Sequence, residues 1–233
     1  MGENRPILGR DEFEGMLRAV ERSYWDKHPF HQRMDAGELD PDEVRAWAAN
    51  RWYYQRSLPQ KDAAIVANCP LPEIRRRWLP RIIYHDGTME GDGGCARWLA
   101  LAEAVGLSRA EVLDERHVLP GVRFAVDSYV TFARTRPWVE GIASSLTEMF
   151  APQAMAARSA ALRRHYPWID TEAFGYFDAR IPRAREECAD ALDIVLTHCT
   201  SRDSQDAAVR ALEFKTDVLW SMLDTIEHSR PAR

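Results

Sequence analysis

The chain is short of several things, and each shortage narrows what it does. It has only four cysteines (Cys69, Cys95, Cys188, Cys199), with no CxxC pair among them. They fall in segments of helical pattern, so the simplest reading is reduced, buried thiols in a cytoplasmic protein. No apolar run reaches the roughly 18 residues that a membrane-spanning helix needs. The opening "MGENRPILGR" carries no apolar signal region and no small-residue cleavage site. Nor is there a basic excess. The net charge is −5, with both signs interspersed, which argues against a nucleic-acid partner. Alternating strand patterns, repeats and low-complexity linkers are all missing. So are GxSxG, Walker and HExxH motifs. None of the seven histidines has a glutamate three residues before it, so the di-iron signature of helical bundles is lacking. The pairs His28/His31 and Asp114/His117 have loosely suitable metal spacing, but no third and fourth ligand is evident.

Helical periodicity dominates what is present. The 233 residues, 45% apolar and 29% charged, suit one globular all-α domain spanning 1–233 as a compact bundle. Asp11 with Glu14 reads as a capping box, followed by a stripe of Phe13, Met16, Leu17, Val20 and Tyr24. Asp40-Pro41 reads as a cap with proline at the first helical position. The next helix is expected to break briefly at Pro59 before a second one. Pro72 opens a helix ending near Gly87, Gly106 closes another, and Ser108 with Glu111 forms a cleaner capping box. Further helices fit Pro120–Arg134, Pro137–Arg164 with a kink or break at Pro152, Asp170–Ile181, Pro182–Cys199 and Ser204–Glu227. The glycine cluster "HDGTMEGDGG" reads equally well as a mobile loop beside a site or as a plain connection.

Several stripes contain the wrong kind of residue. Arg51 and Gln55 share a face with Trp47, Tyr54 and Leu58, and Lys61 follows on the same stretch. Arg81 and His85 share one with Ile74, Trp78 and Ile82. Tyr129 lies among Val122, Val126, Val130 and Ala133. Lys215 interrupts the seam Ala208, Leu212, Leu219, Met222, Ile226, and Glu148 sits between Leu146 and Met149-Phe150. Each alone is better explained by snorkelling or a local hydrogen bond. Together they matter, because an unpaired buried charge is costly and charges gather where partners exist. The inward cations Arg51, Lys61, Arg81 and Lys215 outnumber Glu148. The balance points to a cationic cavity for a polyanionic small molecule, with arginine forks suited to carboxylates.

These residues also carry a resemblance. "ANRWYYQ…LPQKDAAIVANCP", "RRWLPRIIYHDG", "EGDGG…WLALAEAVGLSR", "ERHVLPGVRFAVDSYVTFAR", "SSLTEMFAPQ", "HYPWI" and "EFKTDVLWSMLD" are similar to the pyrroloquinoline-quinone synthase family, from about Phe13 to Asp224. The resemblance implies a haem-oxygenase-like all-α fold and a homodimer. It implies an oxidase without metal or organic cofactor. Such an enzyme closes a ring in a bicyclic polycarboxylate precursor and oxidises it with O2, giving pyrroloquinoline quinone and H2O2. Residue by residue it marks Arg51, Gln55, Lys61, Arg81, Tyr129, Thr147, Arg158 and Lys215 as substrate-binding. His85, Tyr176, Arg180 and Glu148 are marked as catalytic, with His85 the proton-transfer group and Tyr176 and Arg180 near oxygen. Two departures stand out: Met155 and Trp25 occupy positions where family members often carry histidine, and neither does imidazole's proton chemistry. The chain also ends at Arg233, sooner than its relatives, which puts a lid contribution in question. Two alternatives on the same fold are a thiaminase-type hydrolase, which would need an activated cysteine, and a non-catalytic carrier of the quinone.

Overall fold

A computed structural model describes residues 6–229; the ends of the two termini discussed above lie outside the described residues. Helices make up the fold: α1 (Arg10–Ala19), α2 (Pro29–Ala36), α3 (Pro41–Asn68), α4 (Pro72–Asp86), α5 (Gly93–Ala104), α6 (Arg109–Leu113), α7 (Pro120–Thr135), α8 (Trp138–Ser144), α9 (Ala151–His165), α10 (Gly175–His198) and α11 (Arg202–His228). Short 3-10 turns cover Val20–Ser23, Trp25–Lys27, Ser145–Met149 and Thr171–Phe174. There is no strand among the described residues.

The long helix α3 is central, packing on α4, α5 and α7, while α11 packs on α7 and α8 and α10 on α8 and α9. Its start is well specified. Asp40 accepts from the backbone of Asp42 and Glu43, and Glu43 returns the bond to Asp40. Ser108 and Glu111 make the same reciprocal cap for α6. The apolar stripe that starts in α1 is buried at Phe13 and Leu17 and continues beyond the helix at Val20 and Tyr24. Two apolar clusters result, one around Trp47, Trp98 and Tyr176, the other around Trp78, Ile142 and Leu212.

Three expectations need correction. The Asp11/Glu14 box does not form: α1 begins at Arg10 behind Gly9, which makes no side-chain cap, and Glu14 accepts from Arg18 instead. The helix does not break at Pro59, because α3 runs straight through it. A proline there leaves the carbonyl four residues back without its usual donor. That carbonyl belongs to Gln55, and the Cys95 thiol from α5 donates to it at 3.7 Å. Likewise α10 continues through Pro182 rather than starting there. The residue four back, Asp178, is exposed, so water can satisfy its carbonyl. At Pro152 the break is real: α8 ends at Ser144, and Pro152 lies in the first turn of α9.

The glycine cluster has a specific job. Gly87 and Gly93 both take positive φ, at 81° and 86°. A Cβ on Gly93 would fall 2.5 Å from the Gly87 nitrogen, so the turn closes only with glycine. This brings the N-terminus of α5 against His85, where a Cβ on Gly94 would lie 3.2 Å from Nδ1.

Candidate active site

Helices α3, α4, α10 and α11, with the 3-10 turn before α9, surround a buried cavity. The space between its walls is about 540 Å³, open solvent at its mouth included. Only about 50 Å³ of it is wide enough for the centre of a water molecule.

Nine of the twelve residues expected at the site line this cavity: Arg51, Lys61, His85, Tyr129, Thr147, Glu148, Tyr176, Arg180 and Lys215. Trp25 and Met155 line it too. Gln55, Arg81 and Arg158 stand behind the wall. Gln55 bridges Tyr176 and His85, Arg81 holds Glu148, and Arg158 reaches Asp35 at 3.4 Å. The wall also includes Tyr24, Tyr54, Asp62 and Ser145, which were not picked out as site residues.

The cations are not alike. Lys61, expected with Arg51 and Lys215 to lack a local acidic partner, has one, and so does Arg81. Lys61 Nζ donates to Asp62 Oδ1 at 2.5 Å and to Ser145 Oγ at 3.0 Å. Burial alone would lower the Lys61 pKa, but Asp62 and Tyr129 together outweigh it and the net shift is upward. Asp62 is held in turn by the Trp78 indole N–H at 2.8 Å. Arg81 donates to both Glu148 oxygens, at 2.9 and 2.8 Å, and to the Glu187 carbonyl at 2.6 Å. Arg180 bridges Glu148 and Glu187 at 2.7 and 2.8 Å. Burial penalises the Glu148 carboxylate, yet Arg81, Arg180 and Lys61 prevail and hold its pKa below the ordinary value.

Arg51 and Lys215 have no such support among the described residues. The Arg51 guanidinium lies 4.6 Å from the Trp25 ring centre and 5.1 Å from that of Trp98, and its buried Nη1 has no hydrogen-bond partner. Lys215 Nζ donates to the Tyr54 hydroxyl at 2.9 Å and rests on the Tyr129 ring. Burial, with Lys61 and Arg51 nearby, pulls its pKa well below the usual 10.5. Arg158 Nη2 is also buried without a partner, and burial lowers the pKa of this arginine as well. His85 is similarly depressed, by burial first and then by Arg180, Lys61, Arg81 and Arg51, so the imidazole is neutral.

The histidines with metal-like spacing are otherwise engaged. His28 accepts from the Phe30 nitrogen and faces Asp224, His31 meets the Trp25 carbonyl, and His117 faces Glu111. No group of three or more potential metal ligands occurs among the described residues. No described helix is long and apolar enough to cross a membrane.

Comparison with known proteins places this geometry. Residues 16–225 match the sequence profile of the TENA/THI-4/PQQC family. A pyrroloquinoline-quinone synthase of Cronobacter sakazakii is 50% identical over 97% of this chain and 90% of its own length. One from Rhizobium rhizogenes is 51% identical over 94% and 90% respectively. Among solved structures, a Shewanella denitrificans domain of unknown function with a haem oxygenase-like fold superposes with a TM-score of 0.80 at 13% identity, covering 96% of this chain and 94% of that one. A TenA homologue from P. horikoshii gives 0.73 at 10% identity, covering 94% and 98%. Those two share the fold; the profile match and the half-identical relatives go further, and the chain belongs to the TENA/THI-4/PQQC family.

Proposed function

We propose that the protein is a pyrroloquinoline-quinone synthase. It closes a ring in a bicyclic polycarboxylate precursor and oxidises it with O2, releasing H2O2, as a cytoplasmic homodimer without metal or organic cofactor. One observation carries the reading for the substrate. Arg51 and Lys215 line the cavity with no carboxylate partner among the described residues, so a ligand's carboxylates are the missing counter-charge. Relatives of about 50% identity that bear this enzyme's name support the same assignment.

In this reading Arg51 and Lys215 bind carboxylates, while Glu148, tied to Arg81 and Arg180, keeps that wall rigid. His85 exchanges protons at the ring being closed. Tyr176 and Arg180 face reduced oxygen, although Arg180 shares its charge with two glutamates.

The hydrolase alternative is weakened by the thiols. None of the four cysteines lines the cavity. Burial pushes Cys95 and Cys199 up to about 12 and Cys188 up to about 11, where little thiolate exists. The carrier alternative draws on Met155 and Trp25 in the cavity wall. One experiment separates the two surviving readings. Chelator-treated protein is mixed with the bicyclic precursor, with and without O2, and followed by absorbance and mass spectrometry. Oxygen-dependent quinone and peroxide support the synthase; bound but unchanged precursor rejects it.

A further inference from the structure

Gln55 is fully buried, and its amide is engaged at both ends. The Tyr176 hydroxyl donates to Oε1 at 2.9 Å, and Nε2 lies 3.0 Å from His85 Nδ1. An amide nitrogen offers only hydrogens and an amide oxygen only lone pairs. In this orientation Nδ1 is therefore the bare acceptor. The neutral ring carries its single proton on Nε2, which makes no hydrogen bond to a described residue while His85 lines the cavity. The cavity is met by an N–H from His85. Tyr176 has committed its one proton to Gln55, so a ligand reaching its oxygen finds lone pairs.

Turning the amide over reverses every role. Oε1 then accepts from a protonated Nδ1, leaving Nε2 bare. The amide nitrogen donates to the Tyr176 oxygen, and the phenol proton is free for the cavity. The two orientations have nearly the same shape. With both amide bonds kept, His85 and Tyr176 never donate together and never accept together. Gly94 leaves the space beside this junction, since a Cβ there would lie 3.2 Å from His85 Nδ1 and 3.5 Å from Gln55 Nε2.

We propose that Gln55 is a positioning residue that couples His85 to Tyr176, its amide orientation deciding which of the two donates and which accepts in the cavity. At rest His85 is the donor. It becomes a base only when the amide turns, and the same turn releases the Tyr176 proton for donation. This catalytic meaning rests on the reaction proposed above; the coupling itself belongs to the ligand-free protein.

The test uses ligand-free protein with 15N-labelled histidine, the His85 signals being identified by their loss in His85→Asn. The parent is expected to show a protonated Nε2 and a bare Nδ1. Tyr176→Phe takes one hydrogen bond from each orientation, the one to Oε1 here and the one from the amide nitrogen in the turned form, so the bias that the phenol imposes is lost and the tautomer ratio should shift, by up to about tenfold, the worth of one hydrogen bond. In a Gln55→Leu background the same Tyr176→Phe change should leave the His85 tautomer ratio where Gln55→Leu alone puts it. Gln55→Glu, whose carboxylate accepts from both neighbours, should drive the proton to Nδ1 and serves if the leucine variant does not fold. A parent with the proton on Nδ1, or a Tyr176→Phe variant with an unchanged ratio, overturns the proposal. Because no substrate is present, that failure is separate from failure of the synthase reading, which oxygen-dependent turnover decides.

Discussion

The Lys215 ammonium rests 3.5 Å from the centre of the Tyr129 ring, with no carboxylate in reach among the described residues. Its depressed pKa means that the unfolded chain binds this proton more readily than the folded one. Stability must therefore rise with pH between the lowered value and 10.5, and the penalty is largest at low pH. Lys215→Met, which keeps the bulk and removes the charge, should raise the thermal midpoint, with the gain shrinking as the pH approaches 10.5. The same variant should bind the quinone product more weakly, by about 1.5–3 kcal/mol, the range for a charged hydrogen bond. Thermal melts across pH and product titration read both effects.

Ligand binding should reverse that depression. A polycarboxylate supplies the counter-charge that Lys215 lacks and offsets the cations acting on His85. Both groups then hold protons more tightly in the complex. Product binding should take up protons at any pH above the lowered values and below the ordinary ones. Calorimetry in buffers of different ionisation enthalpy gives that number directly, and Lys215→Met should reduce it by up to one.

The two kinds of cation should also part company on mutation. Arg51→Ala removes a group with no carboxylate partner, so it should cost about 1.5–3 kcal/mol in product binding with little loss of stability. Lys61→Ala leaves Asp62 buried and deprived of its cation. Breaking such a pair costs about 3–5 kcal/mol, so that variant should lose stability foremost. Denaturant unfolding and product titration, measured together, sort them.

That contrast marks where sequence reading stopped. The stripes of α3, α4, α7 and α11 put Arg51, His85, Tyr129 and Lys215 on inward faces, because helical spacing fixes which residues share a face. The Asp40-Pro41 cap located the start of α3 and the Ser108/Glu111 box that of α6, because a cap and the groups it bonds lie within one turn. What failed depended on how far a side chain bends and on contacts between helices. Asp62 is one position from Lys61 and so about a quarter turn away around the helix, yet its carboxylate bends to the ammonium and is held by Trp78. Glu187 meets Arg81 and Arg180 only after α10 runs through Pro182. Pro59 looked like a break because its rescuer, Cys95, comes from another helix.

His85 gives the next expectation. Asparagine in its place should retain ligand binding, because Arg51 and Lys215 are untouched. Product formation should slow by about 10²–10⁴-fold, the usual worth of a positioned acid or base. Single-turnover rates measured with pre-bound precursor would expose this loss, and unchanged rates would remove His85 from the proton-transfer role.

Met155 lines the cavity on α9, the helix that follows Glu148 and its 3-10 turn. Its thioether accepts hydrogen bonds weakly and donates none, so it cannot hand a proton to reduced oxygen. Tyr176 and Arg180 line the same cavity, which leaves positive potential near an oxygen anion even though Glu148 and Glu187 take part of it. Ring closure and the first oxidation should therefore proceed, while a later oxidation lags for want of a proton donor. A partly oxidised quinoid or quinol species should accumulate in single turnovers at limiting O2. Met155→His supplies a donor without adding a cation for carboxylates, since burial beside these cations favours neutral imidazole, as it does for His85. The substitution should shorten the lifetime of that species by about 10²-fold or more, the lower end for a placed acid, and leave product affinity unchanged. Stopped-flow absorbance resolves the species. Passage to full quinone with no intermediate in the parent, or a change in affinity alone in Met155→His, would show that proton supply at this position does not limit the reaction.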